Sequence, residues 1–373
     1  MDKIKTTDHF YLIDGSGYIF RAYYALPPLT RKSDGLPVGA VSGFCNMLFK
    51  LLEDSRSDDN LEKPTHFAVI FDSARKNFRN DIYPDYKSNR EDAPDDLVPQ
   101  FQYIRKSVTA FNLPSVELIN YEADDLIATY TKQILEKGAK VTIVSSDKDL
   151  MQLFEKDVRI YDPMKNKFIT SKDVIDKFGV DSKKVVDVQS LAGDSSDNVP
   201  GVPGIGIKTA AELINIYGSL ENLLEKANEI KQNKRRETLI QNKDKAIISK
   251  KLVTLKNDVP VKKKIEEFIL QKIDKNKLYD YLREMEFNRL LSSVISFYGE
   301  QDFSQNLNNE KLPKKINNPK INNKNYFLIK KKEDLDEWIN EAEKYGEIAI
   351  DTETSSLDPH QADLIGISLS TKI

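Results

Sequence analysis

Four short apolar runs, each leading into acidic residues, constrain this chain more than any other feature. FYLID (10–14) closes on Asp14, and THFAVIF (65–71) runs into Asp72. SVELI (115–119) precedes YEADD, with Glu122, Asp124 and Asp125; KVTIVSSDKD (140–149) carries Asp147 and Asp149. Between the runs lie helix-like stretches: a segment holding Arg21, Tyr23 and Tyr24, an amphipathic stretch over 40–54, another over about 99–112, and one from YEADD to Glu136. VRIYD (158–162) reads as a fifth strand. This alternation predicts an α/β fold with a parallel or mostly parallel sheet. Such sheets bind ligands at the carboxyl ends of their strands, where these seven acids fall.

Clustered carboxylates need an explanation. A like-charge pair about 4 Å apart costs about 4 kcal/mol at an effective dielectric of about 20. A solvated surface tolerates that, and a divalent metal offsets it. For YEADD alone the first turn of a helix, where the dipole favours acids, is an equally open reading. It does not account for Asp14 and Asp72. GDSSDN adds Asp194 and Asp197, three residues apart and so on one face if helical. The set suits two-metal phosphoryl chemistry, in which ions ~3.5–4 Å apart lower the pKa of the attacking water and hold the leaving oxygen. Oxygen ligands select hard ions, Mg²⁺ or Mn²⁺. With only His9, His66, His360 and Cys45 available, the composition argues against a Cys/His zinc site. The histidines and Cys45 read as structural.

Net charge is -3, from 56 Lys and Arg against 59 Asp and Glu, which excludes a uniformly basic coat but allows segregated surfaces. The polar opening lacks the apolar centre of a signal peptide, no apolar run approaches ~18 residues, and one cysteine suits a reducing compartment. A cytoplasmic chain is expected.

Positive charge gathers over residues 75–100 and in a basic region from Glu229 to Lys251 that carries eight Lys/Arg against three acids. Residues 75–100 interleave Arg75, Lys76, Arg79, Lys87 and Arg90 with Phe78, Tyr83 and Tyr86. That pattern suits a single strand, with rings stacked on bases, or else a solvated loop. Lys87 and Arg90 are the candidates for stabilising charge on a scissile phosphate, because an acidic pocket needs cations to admit an anion. VPGVPGIGIKTAAELI places Gly201, Gly204, Gly206, Lys208 and Thr209 around the start of a helix. The spacing is not that of a Walker loop. It fits a helix–hairpin–helix whose backbone N–H groups approach phosphate, or a tight turn between packed helices.

The expected organisation is an α/β metal-binding domain over 1–184, including the 75–100 segment, and a helical subdomain over 185–300. A polar linker over 301–325 and a fresh strand–helix–strand pattern over 326–373 follow.

Taken in order, LIDGSGYIFRAYYALPPLT, FDSARKNFRNDIYPDYKSNR, YEADDLIA, SSDKDLMQL, LAGDSSDNVPGVPGIGIKTA and MEFNRLL closely resemble the flap endonuclease family, in the form that opens bacterial DNA polymerase I. The resemblance covers residues 8–300. It implies a PIN-like sheet and a two-metal site lined by Asp14, Asp72, Glu122, Asp124, Asp125, Asp147, Asp149, Asp194 and Asp197. It also implies that Tyr86, Lys87 and Arg90 lie on a helical arch or clamp, the tyrosine stacking on a base and the cations on the scissile phosphate. Residues 201–214 would hold duplex DNA with a bound K⁺; Arg21, Tyr23 and Arg79 would be further DNA contacts. The implied activity is a monomeric, structure-selective 5′–3′ nuclease acting on flaps, nicks and RNA primers in replication and repair, leaving a 5′-phosphate.

GEIAIDTETSSLD resembles the opening of a 3′–5′ proofreading domain, with Asp351 and Glu353 as its first acidic pair. The remaining acids of such a site lie beyond Ile373, so neither proofreading nor polymerase activity is expected of these 373 residues. Two other readings are a non-catalytic helix–hairpin–helix tether for a polymerase and an RNA-directed PIN-like nuclease. The intact acids argue against the first, and the hairpin with the proofreading-like tail argues against the second.

Overall fold

The computed structural model describes residues 3–57, 63–300, 328–346, 348–355 and 363–370. The chain forms two compact units, Met1–Gln305 and Asn306–Ile373; residues 301–325, the expected linker, lie outside the described residues.

The first unit opens with β1 (His9–Asp14), α1 (Gly15–Ala25), α2 (Gly39–Ser57), β2 (His66–Ile70), α3 (Phe78–Ile82), α4 (Gln100–Ala110) and β3 (Ser115–Val116). Then come α5 (Ala123–Leu135), β4 (Lys140–Val144), β5 (Val158–Asp162) and β6 (Lys167–Phe168). Helices α6 (Ser171–Phe178), α7 (Val185–Ala192), α8 (Ile207–Tyr217), α9 (Leu220–Glu225), α10 (Asn233–Gln241), α11 (Lys243–Val253), α12 (Lys275–Glu284) and α13 (Asn288–Tyr298) complete it. The sheet order is β3-β2-β1-β4-β5-β6. Every pairing is parallel except β5 with β6.

The central strands are buried along their length because both faces are covered, as parallel sheets require. Alternation sorts their side chains. Phe10, Leu12, Ala68, Ile70, Val141 and Ile143 point into the core built on α5 and the α6–α9 helices. Tyr11, Ile13, Phe67, Val69 and Val144 point into the opposite core, with α1, α2 and α4. The third expected strand, SVELI, stops after Val116, where Phe71 makes its last rung; the chain then turns at Asn120, which has φ +74°.

The last two helices depart from the expected grouping of 185–300. Leu278, Tyr279, Leu282, Met285, Leu290 and Val294 pack into the α2–α4 core. The Tyr281 hydroxyl donates to the Tyr103 carbonyl at 2.7 Å. Their apolar stripe finds its cover on the α/β layer, so the helical portion surrounding the hairpin ends well before residue 300.

The second unit holds α14 (Lys332–Tyr345) and the antiparallel hairpin β7 (Ala349–Thr354) with β8 (Leu364–Ser370). Asp351 and Glu353 stand on β7, two residues apart and therefore on one face, both exposed.

Candidate active site

The strand ends deliver their carboxylates to one edge. Asp14 is both the last residue of β1 and the N-cap of α1; its Oδ1 accepts the Gly17 N–H and its Oδ2 the Ser145 hydroxyl, each at 2.8 Å. Gly17 follows so closely that a Cβ there would come within 2.6 Å of Asp14 Oδ2. Beyond β2, Asp72 accepts the Ala123 N–H at 2.8 Å while its own N–H donates to Ser16 Oγ at 2.9 Å. Asp72 thereby satisfies a free donor at the start of α5, the helix that carries Asp124. Asp147 and Asp149 follow β4: the Asp149 N–H donates to Asp147 Oδ1, and Gln189 of α7 donates to Asp149 at 2.6 Å. From the loop after α7 come Asp194, which accepts both the N–H and the hydroxyl of Ser196, and Asp197.

Asp14, Asp72, Glu122, Asp124, Asp147, Asp149, Asp194 and Asp197 together line a cavity of about 140 Å³. Four cations pair with them. Lys87 Nζ bridges Glu122 and Asp197, the Arg90 guanidinium pairs with Asp197, Lys148 Nζ lies 2.5 Å from Asp194, and Arg79 Nη1 lies 3.4 Å from Glu122. Among the described residues no three acid, His or Cys side chains are close enough together to form a ready-made ion sphere.

The electrostatics follow from this crowding. Burial, then the neighbouring Asp147, Asp14, Asp72 and Glu122, hold Asp124 well above the ordinary carboxylate range. Burial likewise raises Asp14 to about 6, Asp149 to about 7, and Asp72 in direction. Asp194 goes the other way: burial pushes it up, but Lys148 and Ser196 outweigh that and lower it. The donor set consists of carboxylate oxygens, several held above their ordinary range by burial and mutual repulsion, which is the chemistry a hard divalent ion fits.

A stability signature follows. Asp14 and Asp149 keep their protons in the folded state above the pH at which the unfolded chain releases them. The native state therefore binds more protons, and stability must fall as pH rises. Without divalent metal, the melting temperature is expected to drop as pH goes from about 4 through the range of about 6 to 7. Mg²⁺ should reverse most of that drop. Melting curves in EDTA and in Mg²⁺ across that range check it; a rise with pH in EDTA would contradict the assignment.

Several expected site residues are packed rather than presented to a ligand. Asp125 is fully buried outside the cavity, its two oxygens occupied by Arg79 at 2.7 Å each. Arg79, expected to touch DNA, is 1% exposed and stands in the cavity's inner wall with its guanidinium turned to Asp125. Tyr86 is also buried, its hydroxyl donating toward Glu122 and Asp197, so its ring is not presented to a base. The expected helical arch is helical only over α3; residues 84–90 form turns, with Lys87 at φ +56°. Pro84 and the Asp, Ser and Asn residues around it favour turns over a longer helix.

The hairpin divides in the same way. Gly201 is buried, donates its N–H to Ser249 Oγ, and has φ +58° with its Cα against Gly193, where a Cβ would come within 2.4 Å of the Gly193 nitrogen. It is a packing residue. Gly204 and Gly206 face open space, with Lys208 exposed and Thr209 half-buried at the start of α8. Arg21 and Tyr23 do not line the acidic cavity; Arg21 has a buried Nη1 with no hydrogen-bond partner, and the Tyr23 hydroxyl donates to Asp96 at 2.7 Å.

Sequence reasoning missed Ser16, Asn77, Ser145, Lys148 and Gln189, the side chains that orient the acids; Asn77 donates to Glu122 Oε1 at 3.0 Å. Only Lys148, lying between Asp147 and Asp149 in sequence, carried a local signal.

Matches to known proteins agree with this geometry. Residues 9–179 match the 5′-3′ exonuclease N-terminal resolvase-like domain, 180–276 the 5′-3′ exonuclease C-terminal SAM fold, and 326–373 a 3′-5′ exonuclease domain. The chain is 39% identical to a 5′-3′ exonuclease of Aquifex aeolicus, covering 77% of this chain and 96% of that protein. It is 45% identical to DNA polymerase I of Rhizobium leguminosarum over 99% of this chain. The chain spans only 42% of that polymerase and 33% of DNA polymerase I of Bacillus caldotenax. A zinc-bound T5 5′-exonuclease superposes with TM-score 0.56 at 19% identity, covering 78% of this chain and 100% of that one. The catalytic core of Rad2 with DNA substrate gives 0.54 at 15%, covering 80% and 96%.

Fold and sequence together define a 5′-directed nuclease with a mostly parallel α/β core. The chain belongs to the 5′-3′ exonuclease family, in the branch shared by bacterial DNA polymerase I and stand-alone 5′-3′ exonucleases.

Proposed function

We propose that this chain hydrolyses DNA at 5′ flaps and nicks, and removes RNA primers, as the 5′-nuclease portion of a DNA polymerase I in a cytoplasmic compartment, acting as a monomer. The observation that carries the reading is the convergence of eight carboxylates from four strand ends and one loop after a helix on a single cavity, with Lys87 and Arg90 paired to Glu122 and Asp197 among them. Asp14, Asp72, Glu122, Asp124, Asp147, Asp149, Asp194 and Asp197 are the groups that would hold Mg²⁺ or Mn²⁺. Such ions, when bound, lower the pKa of an attacking water and neutralise charge on the leaving oxygen.

The chain's own groups do the rest. Lys87 and Arg90, freed from Glu122 and Asp197 when metal takes up the carboxylates, would turn to the scissile phosphate as charge-assisted donors. A recess of about 400 Å³ beside the cavity, with Phe20, Phe71, Arg75, Phe101 and Arg105 on its walls, offers aromatic and cationic surface to the flanking nucleotide. Gly204, Gly206, Lys208 and Thr209, at the N-terminus of α8, would receive duplex phosphates, with K⁺ at the hairpin.

The test is cleavage of a labelled 5′-flap duplex. We expect cutting in Mg²⁺ or Mn²⁺, none in EDTA, and binding without cutting in Ca²⁺. Tight binding in Ca²⁺ with no product in Mg²⁺ or Mn²⁺ would overturn the reading. Competition between RNA and DNA flaps tests the substrate range.

A further inference from the structure

Arg79 spends its donors internally. Besides its two bonds to Asp125, its Nε donates to the Leu252 carbonyl at 2.7 Å and its Nη2 to the Thr254 carbonyl at 3.3 Å. The guanidinium lies 4.6 Å from the Phe78 ring centre and 3.4 Å from Glu122 Oε2. Asp125 in turn accepts the Glu122 N–H at 3.2 Å and, from 131 residues away, the Lys256 N–H at 2.8 Å. One buried pair thus joins three separate pieces of chain. The first is α3, which leads into the turns carrying Lys87 and Arg90. The second is the start of α5, with Glu122 and Asp124. The third is the segment leaving α11.

That third piece matters because α11 packs on α7, whose C-terminal loop supplies Asp194 and Asp197. The cavity's acids come in two groups, six from the sheet edge and two from this loop. Tyr86, Val199, Leu252 and Val253 form a small apolar cluster, and all four line the same cavity. Apolar contact tolerates sliding, whereas a bidentate guanidinium–carboxylate pair with two further carbonyl acceptors fixes distance and angle.

We propose that Arg79 and Asp125 are a positioning pair: without touching ion or substrate, they set the spacing between the two carboxylate groups and the seat of Lys87 over them. This rests on the metal-binding reading of the acids. Removing one partner alone leaves the other charged and buried, so the informative variant is Arg79→Met with Asp125→Asn, whose side-chain amide oxygen can still accept the Lys256 N–H. Arg79→Lys, which keeps the charge but loses the fork, is the second variant.

Four quantities are measured on the full chain: melting temperature, flap-DNA affinity in Ca²⁺, Mn²⁺ binding to the DNA-free protein by electron paramagnetic resonance, and the Mg²⁺ dependence of single-turnover cleavage. The double variant is expected to melt cooperatively and bind flap DNA as wild type does. Its Mn²⁺ affinity should fall, and its Mg²⁺ midpoint rise, by about 10–100-fold, the usual effect of disturbing groups that orient metal ligands. Arg79→Lys should shift both in the same direction. Wild-type Mn²⁺ affinity and Mg²⁺ midpoint in the double variant overturn the proposal. If the double variant does not fold, the same result in Arg79→Lys overturns it. Absence of Mn²⁺ binding by the wild-type chain would instead overturn the metal reading together with this one.

Discussion

Asp124→Ala combined with Asp147→Ala is expected to cleave a 5′-flap duplex at least about a thousandfold more slowly than wild type. Asp124 lies in the first turn of α5 within the most like-charged surroundings of the cavity, and Asp147, just beyond β4, is its strongest like-charged neighbour. Removing both takes away carboxylates from the centre of the acid set, where ion-assisted stabilisation of the transition state is worth several kcal/mol. At about 1.4 kcal/mol per factor of ten, that amounts to about three orders of magnitude or more. The fold should survive, because both residues sit where their charges repel Asp14 and each other. In EDTA near neutral pH the double variant should melt no lower than wild type. Single-turnover cleavage and thermal melts check both halves, and a rate within about tenfold of wild type would place the chemistry elsewhere.

Lys87→Ala is expected to lower the cleavage rate by about 10²–10³, the usual loss when one preorganised donor to developing charge is removed. Its side chain is only 15% exposed and is held among Glu122, Asp197 and Arg90. Burial works against its charge, but the two carboxylates outweigh this and raise its pKa, and a phosphate taking their place would favour the charged form in the same way. The loss should therefore be largely independent of pH between about 6 and 9. Flap affinity in Ca²⁺ should change little, because an interaction strengthened only in the transition state lowers turnover rather than binding. A variant that binds flap DNA far more weakly yet turns over normally would make Lys87 a binding residue instead.

Much of this protein was legible in one dimension, and the reason is local. Apolar runs of five to seven residues ending in acids, separated by helix-periodic stretches, specify parallel strands and mark their carboxyl ends. Asp14 and Asp72 were readable because each follows such a run directly, and Asp147 and Asp149 because they lie a few residues beyond one. The Gly-rich segment before α8 was readable because turn chemistry is carried by residue type.

The rest depends on contacts between distant segments. Asp125 and Asp124 are neighbours in YEADD, and nothing in that string separates their fates. A helix turns about 100° per residue, which sends one toward the strand ends and the other toward Arg79. Tyr86 and Gly201 likewise carried a binding-like signature and turned out to be packed, because α11 and the Gly193 loop close over them. Sequence by itself determined the sheet, the edge where the acids gather and the family, since these follow from periodicity and ordered motifs. Tertiary structure alone decided which acids face the cavity, which cations restrain them, and that Arg79 is buried against Asp125, since burial and hydrogen-bond partnership are set by segments as far as 173 residues away.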